Sequence, residues 1–133
     1  MDDERLNVLI LWVSDLEQSA AFYADALSIP LDEGFNDPVG DPWIDGRHYE
    51  HSWRDGAYLH FALFPVRDGA SPTTGAELSF STADVDAKHE ELVGKGIDAV
   101  HAPRTWASAG LRIARYRDPD GNVVAFTERI SPT

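Results

Sequence analysis

Arg115-Tyr116-Arg117-Asp118-Pro119-Asp120-Gly121-Asn122-Val123-Val124-Ala125-Phe126-Thr127-Glu128 decides how this chain folds. Its first part reads as a strand entering a turn. Pro119 presets φ for the first inner turn position, Asp118 can bond back onto the turn backbone, and Gly121 accepts a positive φ. Val123 to Thr127 is rich in β-formers and returns as the second strand of a hairpin. Taken alone, the turn would mark only a tight hairpin.

Near the other end, Val8-Leu9-Ile10-Leu11-Trp12-Val13-Ser14-Asp15-Leu16 is followed by Phe22-Tyr23. Val8 to Val13 is apolar on both faces, as a strand covered on both sides would be. Asp15 then caps a helix, with Gln18 three residues on. Leu16, Ala20, Tyr23 and Leu27 form one stripe at helical spacing, and Pro30 enforces the exit. Leu31 to Phe35 reads as a short strand and Asn36 to Gly46 as a loop carrying Trp43. Arg47 to Trp53 and Ala57 to Pro65 are two further strands, joined by a hairpin at Arg54-Asp55-Gly56.

Val66 to Gly75 changes to linker composition. After it the pattern starts again: Glu77-Leu78-Ser79-Phe80-Ser81-Thr82-Ala83-Asp84-Val85 repeats Val8 to Leu16, with Asp84 answering Asp15 69 residues later. Val85, His89 and Leu92 make the second helical stripe and Gly96 stops it. Ile97 to His101 and Leu111 to Arg117 are the next strands, separated by an Ala102 to Gly110 loop with Trp106, and the closing hairpin completes the set. The fold class is therefore α+β, with two βαβββ modules in one domain spanning 1–133: module 1 at 1–66, a linker at 66–75, and module 2 at 75–130.

The two signals together resemble the vicinal oxygen chelate superfamily, which includes glyoxalase I, extradiol dioxygenases, fosfomycin-resistance enzymes and bleomycin-binding proteins. The resemblance covers nearly the whole chain and is specific for fold but not for reaction. It implies curved mixed sheets enclosing a cavity, and a homodimer, since half-size members commonly pair. A bottom-up argument points the same way. Each module's sheet has two faces but only one helix to cover them.

Composition narrows the functional classes. At 133 residues the chain can bury a core without staples, and with no cysteine it has no disulfide, zinc–thiolate site or thiol chemistry. No apolar run is long enough to span a membrane and no leader pattern opens the chain, so a cytoplasmic location is the expectation. A formal charge of −12 argues against nucleic acid and tilts a small-molecule ligand towards a cation.

Strand alternation sorts the site candidates. Val8, Ile10 and Trp12 share one face of their strand. Tyr58 and His60 share another, as do Glu77, Ser79 and Ser81, and Val123, Ala125 and Thr127. The fully apolar alternates belong under the helices. In metal-dependent relatives, the resemblance implies ligands at four positions, which here hold Val8, His60, Glu77 and Ala125. Two of these have no donor atom, whereas a divalent catalytic centre needs about three protein ligands. Metal and cofactor are accordingly expected to be none.

Three roles stay open for His60 and Glu77: a mutually hydrogen-bonded buried pair, ligand contacts, or part of a metal site completed by another residue. His48 and His51 are the tempting third ligands, but at most one can face the cavity. The expected ligand-binding set is Val8, Ile10, Trp12, Tyr58, His60, Glu77, Ser79, Val123 and Ala125, with His60 and Glu77 the catalytic candidates. The closest functional analogy is with bleomycin-binding proteins: a metal-independent protein sequestering a cationic, aromatic ligand, and so acting in antibiotic resistance. The alternatives are a metal-dependent glyoxalase- or dioxygenase-type enzyme using His60 and Glu77 with a non-standard ligand, and a metal-free acid–base lyase or isomerase.

Overall fold

The computed structural model describes residues 4–38 and 44–130. Trp43, expected in a loop, lies outside the described residues. The chain divides between Thr73 and Thr74 into two compact units, a boundary inside the stretch read as the linker.

The first unit runs β1 (Val8–Val13), helix α1 (Leu16–Ala20) continuing as a π-helical turn (Ala21–Ala26), β2 (Asp32–Asn36), β3 (Gly46–Trp53) and β4 (Leu59–Pro65). Its sheet has the order β1-β4-β3-β2, with β1 and β4 parallel and the other pairs antiparallel. The second unit runs β5 (Glu77–Ser81), α2 (Val85–Gly94), β6 (Ala99–Trp106), a 3-10 turn (Ala107–Ala109), β7 (Leu111–Arg117) and β8 (Val123–Arg129). Its order, β5-β8-β7-β6, copies the first, again with one parallel pair, β5 with β8. The internal repeat is thus present at the level of topology. Both sheets are open, and no helix among the described residues is long and apolar enough to cross a membrane.

The helices begin where the sequence places them. Asp15 Oδ1 accepts from the Gln18 backbone N–H at 3.0 Å, and Asp84 Oδ1 from that of Ala87 at 3.0 Å. Each satisfies an N–H that the helix itself leaves unpaired. At the far ends, Ser28 (φ 63°) and Gly96 (φ 81°) adopt the left-handed conformation. This lets the N–H of Ile29 reach the Tyr23 carbonyl and that of Ile97 the Leu92 carbonyl.

Leu16, Ala20, Tyr23 and Leu27 are all buried, as their spacing requires, together with Leu11, Val13, Phe61 and Leu63. Tyr23 meets Phe61 edge-on at 5.7 Å. The π-helical widening, which the stripe does not reveal, brings the sequence neighbours Phe22 and Tyr23 into the core together at 5.1 Å. In the second unit Val85 and Leu92 of α2 bury with Leu78, Tyr116, Val124 and Phe126.

One core position is imperfect. Ser19 is buried in α1 with its hydroxyl unpaired among the described residues. Ser19→Ala should therefore raise stability by about 0.5–1 kcal/mol, through helix propensity and removal of an unpaired hydroxyl. Urea denaturation measures it, and a loss of stability would show that the hydroxyl is in use.

One boundary differs from expectation. β6 runs on to Trp106, so the stretch read as an Ala102 to Gly110 loop is largely strand, and Trp106 ends that strand instead of sitting in a loop. The linker also has a structural role. The Thr73 N–H donates to the Trp12 carbonyl at 2.7 Å, and the Trp12 N–H donates to Thr73 Oγ1 at 3.0 Å.

Candidate functional site

On the first unit, register lines up three rows across the sheet face away from α1. Val8, His60 and Ser52 form one row, and Ile10, Ala62, Glu50 and Asp32 the next. Trp12 and Phe64 form the third, with the His48 ring stacked on Phe64 at 4.6 Å and 11°. Trp12 adds a tilted contact to Phe64 at 5.6 Å. The result is a half-buried Trp12 packed on the buried Phe64 and His48 rings, beside a compact polar group.

That polar group centres on Glu50. Its Oε1 lies 3.1 Å from His48 Nε2 and 3.3 Å from His60 Nε2. His60 Nδ1 is 2.7 Å from Ser52 Oγ, which is itself 3.3 Å from the Tyr58 hydroxyl. His48 Nδ1 donates to the Gly46 carbonyl at 3.2 Å. A carbonyl oxygen can only accept, so Nδ1 carries the hydrogen. The approach of Nε2 to Glu50 is then attractive when a second proton lies between them. Gly34 permits this packing, since a Cβ there would fall 2.7 Å from His48 Nε2 and 2.9 Å from Glu50 Oε2.

On the second unit the corresponding face carries Glu77, Ser79 and Ser81 of β5, Val123, Ala125 and Thr127 of β8, and Ile113 and Arg115 of β7. Arg115 Nε donates to Glu77 Oε2 at 3.0 Å, and its Nη1 donates to His101 Nε2 at 3.1 Å. His101 Nδ1 lies 2.8 Å from the Ala102 carbonyl, which sets the tautomer that lets Nε2 accept. Because β8 lies between β7 and β5, the Arg115–Glu77 pair spans it. Ala125 stands directly opposite Arg115 and supplies the room. Beside this pair, Arg104, Thr105, Trp106, Ile113 and Arg115 line a pocket of about 330 Å³.

The expected site residues are placed as follows. Val8 (43% exposed) lies beside His60, and Ile10 and Trp12 continue its face. Tyr58 is exposed before β4, with the Arg54 guanidinium over its ring at 5.1 Å. Ser79 Oγ is 3.3 Å from Thr127 Oγ1, and Val123 is half-buried beside Glu77. Ala125, expected as cavity floor, is 0% exposed and offers no surface. His60 and Glu77 are engaged on their own sheets. Each has its own partners, Glu50 and Ser52 for the first and Arg115 for the second, because a polar neighbour stands on the same sheet. Of the two further histidines, His48 joins the His60 face, while His51 packs against Trp53 at 4.8 Å.

Glu50, Ser52, His101 and Arg115 were not singled out from sequence. A signal for the first two existed: counting back from the Asp55-Gly56 turn puts Ser52 and Glu50 on the strand face that carries His48. Arg115 shares its face with Ile113 by the same alternation, but its reach across β8 has no local signature.

These contacts decide the fit of a family-type divalent metal. Of the four positions, Val8 and Ala125 have no donor atom, and the Glu77 carboxylate is held by Arg115. The residues do not fit such a centre. The carboxylates of Asp84, Asp86 and Glu128 also gather within 4.8 Å. Each has its own work: Asp84 caps α2, Asp86 takes both arms of Arg112 at 2.8 and 2.9 Å, and Glu128 accepts the Val85 N–H at 3.0 Å. The Arg112 guanidinium holds the Asp86 carboxyl below its usual range.

Each unit is thus a βαβββ repeat whose sheet face carries a few polar side chains. The chain belongs to the glyoxalase/bleomycin resistance protein/dioxygenase superfamily, whose model matches residues 5–126. Among curated proteins it is similar to the uncharacterized protein YraH of Bacillus subtilis (strain 168), 25% identical over 133 residues, covering 90% of this chain and 94% of the relative. Among solved structures it is similar to a member of the same superfamily from Sphaerobacter thermophilus DSM 20745, with 26% identity, TM-score 0.67, and coverage of 94% and 97% of the two chains. It is also similar to TnmS3, an antibiotic binding protein from Streptomyces sp. CB03234, with 25% identity, TM-score 0.67, and coverage of 97% and 98%.

Proposed function

We propose that this protein binds a small aromatic molecule, an antibiotic being the leading class, and sequesters it unchanged and without a metal. The observation that carries the reading is the make-up of the two sheet faces. Each sets one accessible indole, Trp12 or Trp106, beside a few polar groups already oriented by neighbours. Such a mixture suits small-molecule recognition, and the donor-free Val8 and Ala125 argue against the family's metal chemistry. The likeness to an antibiotic binding protein supports it. The pairing of Glu77 with Arg115 offsets the charge that would have selected a cation, so the cationic preference loses its anchor. A homodimer fits the exposed apolar side chains Leu6, Phe35 and Val100.

Equilibrium dialysis against a panel of aromatic antibiotics tests the reading, with mass spectrometry of the recovered compound and elemental analysis of the protein. At least one compound should be retained and recovered intact, with no stoichiometric metal. Trp12→Ala should weaken a retained compound about 5- to 10-fold, the loss of roughly 1–1.4 kcal/mol of aromatic contact. Retention of none, or one tightly held divalent ion per chain, would end it.

One arrangement favours a second reading. Ser52 Oγ and Glu50 Oε1 flank the two ring nitrogens of His60 at 2.7 and 3.3 Å, a setting that orients the imidazole. Metal-free acid–base turnover by His60 would appear as an altered compound after dialysis, lost in His60→Gln.

A further inference from the structure

We infer that the pocket on the second unit is built for a planar aromatic group bearing a negative charge, such as an aryl carboxylate or ionised phenol. The inference rests on the binding role proposed above and gives it a ligand class. The chain has 23 acidic and 11 basic side chains, yet the charged residues lining this pocket are two arginines and no carboxylate. The local charge is therefore opposite in sign to that of the molecule, and a focused local field outweighs a distant net charge at contact range.

The two arginines differ in state. Arg115 is held by Glu77 and His101, which fixes where its guanidinium sits. Arg104 has no ion-pair or hydrogen-bond partner for its side chain among the described residues, so its fork remains available. A planar guanidinium matches a carboxylate or phenolate edge-on, in the plane that an aromatic ring would share. The walls suit such a ring. Ile113 is buried and forms an apolar floor, while Trp106 is 53% exposed, an indole face turned largely to solvent. At about 330 Å³ the pocket is at the small end of the range for organic ligands, enough for a fused two-ring group. A protonated amine would meet the unpaired Arg104 guanidinium here, with Arg115 already offset by Glu77, the reverse of what net charge alone suggests.

Titration calorimetry on the full chain, with tryptophan quenching as a second readout, tests this with three probes of one shape: 2-naphthoate, 2-naphthamide and 2-naphthylmethylammonium. Naphthoate should bind about 10-fold more tightly than the amide, the scale of one charge-assisted hydrogen bond, and the ammonium most weakly. Arg104→Gln should weaken naphthoate about 5-fold and leave the amide within about twofold, whereas Arg104→Lys should restore part of the loss. Trp106→Ala should weaken all three. Equal binding of the three probes, preference for the ammonium, or indifference of naphthoate to Arg104→Gln overturns the charge assignment while leaving the binding role standing. Failure of all three probes to bind, together with no compound retained in dialysis, overturns both.

Discussion

Asp118→Ala is expected to destabilise the protein by about 2–4 kcal/mol, since it removes a charged acceptor from several buried donors at once. Asp118 Oδ1 accepts from the backbone N–H groups of Asp120 and Asn122 at 2.9 and 2.8 Å, and Oδ2 accepts from Asn122 Nδ2 at 3.2 Å. Both Asp118 and Asn122 are buried, so water cannot readily replace those bonds. The damage spreads beyond the turn, because Asn122 Oδ1 accepts the Ala76 N–H at 3.0 Å and fixes the start of β5. Asp118→Asn keeps an acceptor without the charge and should cost about half as much. Urea denaturation of both variants is the check. A loss below about 0.5 kcal/mol, the level of an ordinary surface substitution, would mean that Pro119 and Gly121 set the turn unaided.

Alkaline pH should give the next largest effect. Tyr116 is fully buried, and burial raises its phenol from 10.0 to about 12. Its hydroxyl is 2.7 Å from His89 Nδ1 of α2. The unfolded chain releases this proton near the ordinary value, and the folded chain holds it until about pH 12. The stabilisation is therefore complete below pH 10 and is lost as pH rises through the folded value. It should amount to about 1–3 kcal/mol, at 1.36 kcal/mol per unit. Denaturation between pH 9 and 12 should show the fall in the parent and a flatter profile in Tyr116→Phe. Parallel profiles would assign the alkaline loss to other groups.

The parts of the fold legible in sequence are those written locally. Asp15 and Asp84 announce helix starts, Gly96 a stop, and Asp55-Gly56 and Asp118-Pro119-Asp120-Gly121 the hairpins. β6 is longer than its sequence suggests, running on through Pro103 to Trp106. The proline is accommodated because β6 lies at the sheet edge and its register shifts between Ala99 and His101 and again between His101 and Arg104. A missing donor is tolerated at such an edge irregularity. Within the site, alternation gave the faces of Val8, Ile10, Trp12, Glu77 and Ser79. It could not give the partners of His60 and Glu77, because those depend on which strands become neighbours and on how far a side chain reaches across them.

The crossing of β8 by Arg115 bears on any acidic substitution at position 125. A carboxylate at position 125, as in metal-dependent relatives, would occupy the space in which the guanidinium passes and would compete with Glu77 for it. An acidic side chain added at position 125 would therefore be met by a guanidinium that already holds Glu77.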